Sequence, residues 1–168
     1  MCLRSDNFQM LNVFTKITVL ICVLFLPVSN SVALPPQLAL ADMDGNEHRL
    51  SDYRGKWLLV NYWATWCAPC VAELPQLQAF HQRNEKNNVL VISVNFEEIE
   101  MAPLAAFLQR HKISLPVWLA SPDEPSPWGR IRGLPTSFII SPNGELLRTY
   151  QGLIDLEQVA ALIAESDK

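Results

Sequence analysis

The chain has 168 residues, 49% of them hydrophobic, with 13 basic and 17 acidic side chains and a formal charge of −4. That is apolar material for one packed domain plus a short extra segment. Basic residues form no stripe of the kind nucleic acid demands and no glycine-rich phosphate loop is present, so neither nucleic-acid nor nucleotide binding is expected.

Arg4 and Lys16 precede an apolar run, Ile17 to Leu26, which is followed by Pro27 and then Ser29-Asn30-Ser31-Val32-Ala33. Positive, apolar and small-residue regions in that order read as a secretory signal over residues 1–33, cleaved after Ala33; Met10 would start a more compact version of it. The alternative is an uncleaved anchor. A spanning helix needs about 20 apolar residues, and the run reaches only from Ile17 to Val28. Lipidation at Cys22 is disfavoured because bulky Leu20-Ile21 precedes it. The expected location is therefore periplasmic or secreted. Membrane contact would follow only from retention of the first segment, as an inner-membrane anchor facing the periplasm.

In the exported part, residues 34–168, Leu34-Pro35-Pro36-Gln37 reads as an extended linker. Leu38–Asp42 and Glu47–Leu50 read as short strands about an Asp44-Gly45 turn. Ser51 to Gly55 is a turn, and Lys56–Trp63 (KWLLVNYW) is a buried strand. A helix is expected from near Cys67 to His81, kinked at Pro75. Asn87-Asn88 turns into a second buried strand, Val89–Asn95. A helix with Pro103 at its first position should run to His111, followed by a short strand, Val117–Leu119, and a proline-rich loop, Ser121 to Pro127. Thr136–Ile140 and Glu145–Tyr150 read as a hairpin about Pro142-Asn143-Gly144. A last helix should begin at Asp155, with Gln158 as its capping-box partner, and run to Ala164. The class is α/β, and the first strand–helix–strand unit should be a right-handed parallel crossover.

Four cysteines occur, and the exported part keeps only Cys67 and Cys70. A pair so close together encloses almost no loop, so a bond between them adds little stability, and redox chemistry is the better reason for its presence. Cys67 stands where a strand hands over to a helix. Unpaired N–H groups and the helix dipole there stabilise a thiolate, the attacking species in disulfide exchange. Cys67 is thus the expected nucleophile and Cys70, one turn further in, the resolving thiol. Trp66 is expected to pack over the site, limit access to it and contact the substrate. Tyr62 and Trp63 read as core or rim packing; Trp118 and Trp128 read as packing, with a substrate surface as the alternative. Glu97, Glu98 and Glu100 read as a solvated helix entry, and His48, His81 and His111 lack ligand-like spacing.

The segment VNYWATWCAPCVAELP resembles the active-site segment of thioredoxin-fold proteins, in particular the TlpA/ResA branch of secreted bacterial oxidoreductases related to AhpC/TSA proteins. Pro75, the Gly133-Leu134-Pro135-Thr136 loop and the early hairpin with SDYRGK extend the resemblance from Leu38 to Ala164. It implies a thioredoxin fold, a mixed sheet flanked by helices with an N-terminal β-hairpin extension. It also implies a cis bond before Pro135, strand-like pairing of substrate with Leu134, and dithiol–disulfide exchange without a cofactor. Asn61 stands where cytosolic thioredoxins carry a buried aspartate. Glu73, on the helical face of Cys70, is the replacement the resemblance suggests: it would tune the thiols or take the proton from Cys70. A merely solvated glutamate is the alternative. Members of the branch often reduce exported thiols, haem-attachment cysteines of apocytochromes c among them, so a protein substrate and an upstream membrane electron donor are expected.

Two other activities fit the residues less well. One C-x-x-C supplies two ligands where a closed zinc site needs four, and the C-x-x-x-C plus histidine of related copper-delivery proteins is missing, so no metal is expected. Peroxidases of this fold place a threonine three residues before the reactive cysteine. That position here is Ala64, with Thr65 one step too close.

Overall fold

The computed structural model describes residues 39–124 and 126–166. The signal or anchor segment 1–33, the linker at 34–37 and Cys2 and Cys22 lie outside them. Among the described residues no helix is long and apolar enough to cross a membrane.

Seven strands form one sheet: β1 (Ala39–Asp42), β2 (Glu47–Arg49), β3 (Trp57–Trp63), β4 (Val89–Phe96), β5 (Val117–Ala120), β6 (Thr136–Ile140) and β7 (Leu146–Gln151). Their order is β2-β1-β5-β4-β3-β6-β7. β3, β4 and β5 are parallel, and the two outer pairs are antiparallel additions. Every residue of β3 is buried, as expected of a parallel strand covered on both faces, which is why WLLVNYW shows no alternation. The β3–β4 register, Trp57 opposite Val89 through Trp63 opposite Asn95, makes the first unit a parallel crossover.

Among the described residues three α-helices complete the fold: α1 (Ala68–Asn84), α2 (Met101–His111) and α3 (Leu156–Ser166). Leu74, Leu77 and Phe80 of α1, Leu104 and Leu108 of α2, and Val159 and Ile163 of α3 share one core cluster with Leu59, Trp63 and Val91. The second cluster, on the other face, holds Leu58, Val60, Tyr62, Ile92, Trp118 and Phe138, with Tyr53, Trp128 and Ile131 packed against it from turns and loops. Trp118 is buried and Trp128 leans on Phe138 at 5.0 Å, so both tryptophans are packing elements.

Two helix starts differ from expectation. α2 begins at Met101 with Glu100 in the cap position, so Pro103 is third rather than first. Proline is still tolerated there, because N–H groups of the first turn have no intrahelical acceptor. At α3, Asp155 is the cap: its carboxylate accepts from the N–H of Glu157 (3.0 Å) and Gln158 (3.2 Å), while the Gln158 amide donates back to it at 2.9 Å. The expected pair is present, with Gln158 bonding the cap side chain rather than the backbone. The early turn closes at Gly45, whose φ of +84° suits glycine.

Candidate active site

β3 ends at Trp63, and the chain crosses to α1 through Ala64, Thr65 and Trp66. Cys67 caps the helix: its N–H donates to the Ala64 carbonyl (3.2 Å), its carbonyl accepts from Val71 N–H (3.0 Å), and its Sγ accepts from the N–H of Cys70 (3.3 Å). A sulfur in the N-cap position thus receives one of the helix's unpaired donors directly, the arrangement that favours a thiolate. Cys67 and Cys70 are joined by a disulfide, their Cα atoms 5.3 Å apart. Both are buried, Cys67 retaining 5% exposure and Cys70 1%, so Cys67 is the more exposed residue of the pair.

Glu73 is not a solvated helix residue. It is 3% exposed and shares the buried face of α1 with Cys70, Leu74 and Leu77. Its carboxyl accepts from the backbone N–H of Ile154 (2.6 Å) and from the amide of Asn61 (3.2 Å). Burial pushes its pKa above the ordinary glutamate value, and those two hydrogen bonds oppose the rise without cancelling it. Asn61 also donates to Ser137 Oγ at 2.9 Å, and its own oxygen is buried without a partner.

The Leu134–Pro135 bond is cis. Thr136 Oγ1 donates to the Gly133 carbonyl (2.7 Å) and Gly152 N–H donates to the Pro135 carbonyl (2.8 Å), which fixes the loop from both sides. Trp66 departs from expectation. It is 71% exposed, so most of its surface meets solvent rather than packing on the protein. It forms instead one wall of an open cavity of about 520 Å³ whose lining includes Phe96, Glu97, Ile131, Arg132 and Leu134. Trp66 and Leu134 therefore border the same cleft.

In the acidic stretch Glu98 and Glu100 are exposed and Glu100 caps α2, as expected of a helix entry; Glu97 departs from that reading. Glu97 accepts from the N–H of Thr65 (2.8 Å), from Thr65 Oγ1 (3.0 Å) and from the Asn95 amide (2.8 Å). Sequence reasoning missed this residue. The available signal was its place just past the end of a buried parallel strand, where open α/β sheets gather functional groups.

A parallel-centred sheet, a helix capped by half of a C-x-x-C disulfide, and a cis-proline loop whose Leu134 packs on the core cluster of the two cysteines define a thioredoxin-fold thiol–disulfide oxidoreductase. The chain belongs to the AhpC/TSA family, whose model matches residues 33–149. It is 34% identical over 124 residues to the thiol-disulfide oxidoreductase ResA of Geobacillus kaustophilus, covering 74% of this chain and 71% of that one. It is 29% identical over 144 residues to the ResA of Bacillus subtilis, covering 80% of each. The crystal structure of StoA from Bacillus subtilis superposes with a TM-score of 0.64 at 27% identity, over 77% of this chain and 97% of that one. The exposed lipoprotein thioredoxin of Streptococcus pneumoniae gives the same score and identity over 77% and 98%.

Proposed function

We propose that this protein reduces disulfides of exported proteins on the outer side of the cytoplasmic membrane. The observation that carries the reading is the N-cap placement of Cys67, whose sulfur receives the Cys70 N–H and which is the more exposed residue of the pair. In the reduced enzyme the Cys67 thiolate attacks one sulfur of a substrate disulfide. A mixed disulfide forms and the other substrate sulfur leaves as a thiolate, which takes up a proton. Cys70 then attacks Cys67 Sγ, releasing the second substrate thiolate and closing the Cys67–Cys70 disulfide. Two electrons pass to the substrate, and a membrane thiol donor must return them.

Glu73 serves the second step. Its carboxylate, less acidic than usual because it is buried on the Cys70 face of α1, takes the Cys70 proton as that sulfur attacks. Trp66, Leu134 and Pro135 hold the substrate chain, with the backbone of Leu134 available for strand-like pairing. The signal-like order of residues 1–33 supports export, whether or not that segment is removed. Cysteines awaiting haem attachment in apocytochromes c are a substrate class that must be kept reduced and that suits such an enzyme.

The test is capture. A Cys70→Ala protein expressed in its own cell should accumulate a mixed disulfide through Cys67, which mass spectrometry would identify as an exported cysteine protein. Absence of any adduct would remove the proposal. Direction is tested by equilibration with glutathione: a reductant should lie near thioredoxin's about −270 mV, and a value near about −120 mV would mark an oxidant instead.

A further inference from the structure

The turn that carries Trp66 and Cys67 is held from outside itself. Thr65 sends both its backbone N–H and its hydroxyl to the Glu97 carboxylate, at 2.8 and 3.0 Å. The Asn95 amide, on the strand residue paired with Trp63, fixes that carboxylate at 2.8 Å. Cys67 has its own restraints in the Ala64 carbonyl and the first turn of α1. Trp66, between the two, has an indole that is 71% exposed and gains little from packing. Its backbone is nevertheless clamped on one side by Glu97 and on the other by the helix cap.

We infer that Glu97 is a positioning residue: through Thr65 it holds Trp66 in place in the wall of the cleft that Leu134 also lines, so that a protein substrate meets a preformed groove rather than one it must order. The inference rests on Cys67 being the attacking thiol. The physical basis is the entropy of ordering. A wall fixed before binding spares the encounter the loss of loop freedom, and small displacements of positioning groups are costly. A reagent too small to touch Trp66 gains nothing from that wall. Loss of Glu97 should therefore separate reaction with a protein disulfide from reaction with a small thiol reagent.

Glu97→Gln keeps the clamp. Its amide oxygen can accept from Thr65 N–H and Asn95, and its NH2 can donate to Thr65 Oγ1. Glu97→Ala removes all three bonds. Reduction of insulin disulfides and alkylation of Cys67 by iodoacetamide at neutral pH would be measured on the full chain, well below the melting temperature. For Glu97→Ala we expect kcat/KM on insulin to fall about tenfold, mainly through KM, with alkylation unchanged within about twofold. Glu97→Gln should stay within about twofold of wild type in both assays. Should Glu97→Ala fail to fold, Thr65→Val keeps the backbone bond and should lose about threefold on insulin alone. Insulin reduction unaltered in the alanine variant (or in Thr65→Val where that is the folded one), an equal loss in both assays, or an equal loss in Ala and Gln would each overturn the inference. Wild-type protein whose Cys67 is not alkylated would instead defeat the oxidoreductase reading beneath it.

Discussion

Glu73 and Asp42 each anchor a small hydrogen-bond network, and their acidities move in opposite directions. Glu73 lies on the buried face of α1, where two hydrogen bonds do not offset the loss of water, so its carboxyl is less acidic than usual. Asp42 sits at the end of β1 with part of its side chain in water. His48 Nε2 meets it at 2.8 Å, the Asn46 amide donates at 3.0 Å, and the N–H groups of Asp44 and Asn46 donate at 2.9 Å each. Those bonds, His48 first, hold its carboxyl far below the ordinary value. A carboxylate's behaviour is set by the balance between the hydrogen bonds it receives and the solvent it gives up. The first arrangement suits an acid that must gain and lose a proton. The second suits a pin: Asp42, His48 and Tyr53 form a chain, His48 stacks on Trp118 at 5.1 Å, and the hairpin is fastened to the β5 edge.

The sharpest way to break this contrast is to remove each charge. Glu73→Gln should slow release of substrate from the Cys67 mixed disulfide about a hundredfold, read by quenching a single turnover, while Asp42→Asn should leave that rate within about twofold. Equal effects would show that the two carboxylates are not functionally distinct.

A smaller effect lies in stability against pH. With its pKa raised, Glu73 holds a proton in the folded protein over a range where the unfolded chain has lost it. Its contribution is therefore fully present below the ordinary value of 4.5 and is lost as pH rises through the folded-state pKa. Urea unfolding of the oxidised protein between about pH 4 and 8 should show this decline in wild type and not in Glu73→Gln. Asp42 has the opposite sign: its contribution is present above 3.8 and disappears as pH falls below that value. Asp42→Asn should thus lower stability near neutrality and converge with wild type in acid. Parallel curves for either pair would contradict the assignment.

What the sequence revealed and what it hid follow the same division. Cys67, Cys70, Pro75 inside α1 and the buried β3 were legible because their chemistry is local: a strand, a turn and a helix start within a few residues. The partners of the two glutamates were not. Ile154 lies 81 positions from Glu73, and Thr65 lies 32 from Glu97. No periodicity encodes pairs so far apart, so Glu97 read as solvent-facing together with Glu98 and Glu100, which are exposed. Glu73 did leave a trace, since it falls on the helical stripe of Cys70, Leu74 and Leu77. The exposure of Trp66 was hidden for a different reason. Apolar bulk argues for burial in general, and here that bulk forms the wall of a cleft.

The account depends most on the ionisation of Cys67. Reduced protein should be alkylated by iodoacetamide across a pH series, with the modified cysteine located by peptide mapping. The prediction is a single titration assigned to Cys67 with a midpoint inside the about 3.5–7.5 range of helix-capping thiols, and slower reaction at Cys70. A midpoint near about 8.5, or faster modification of Cys70, would contradict it.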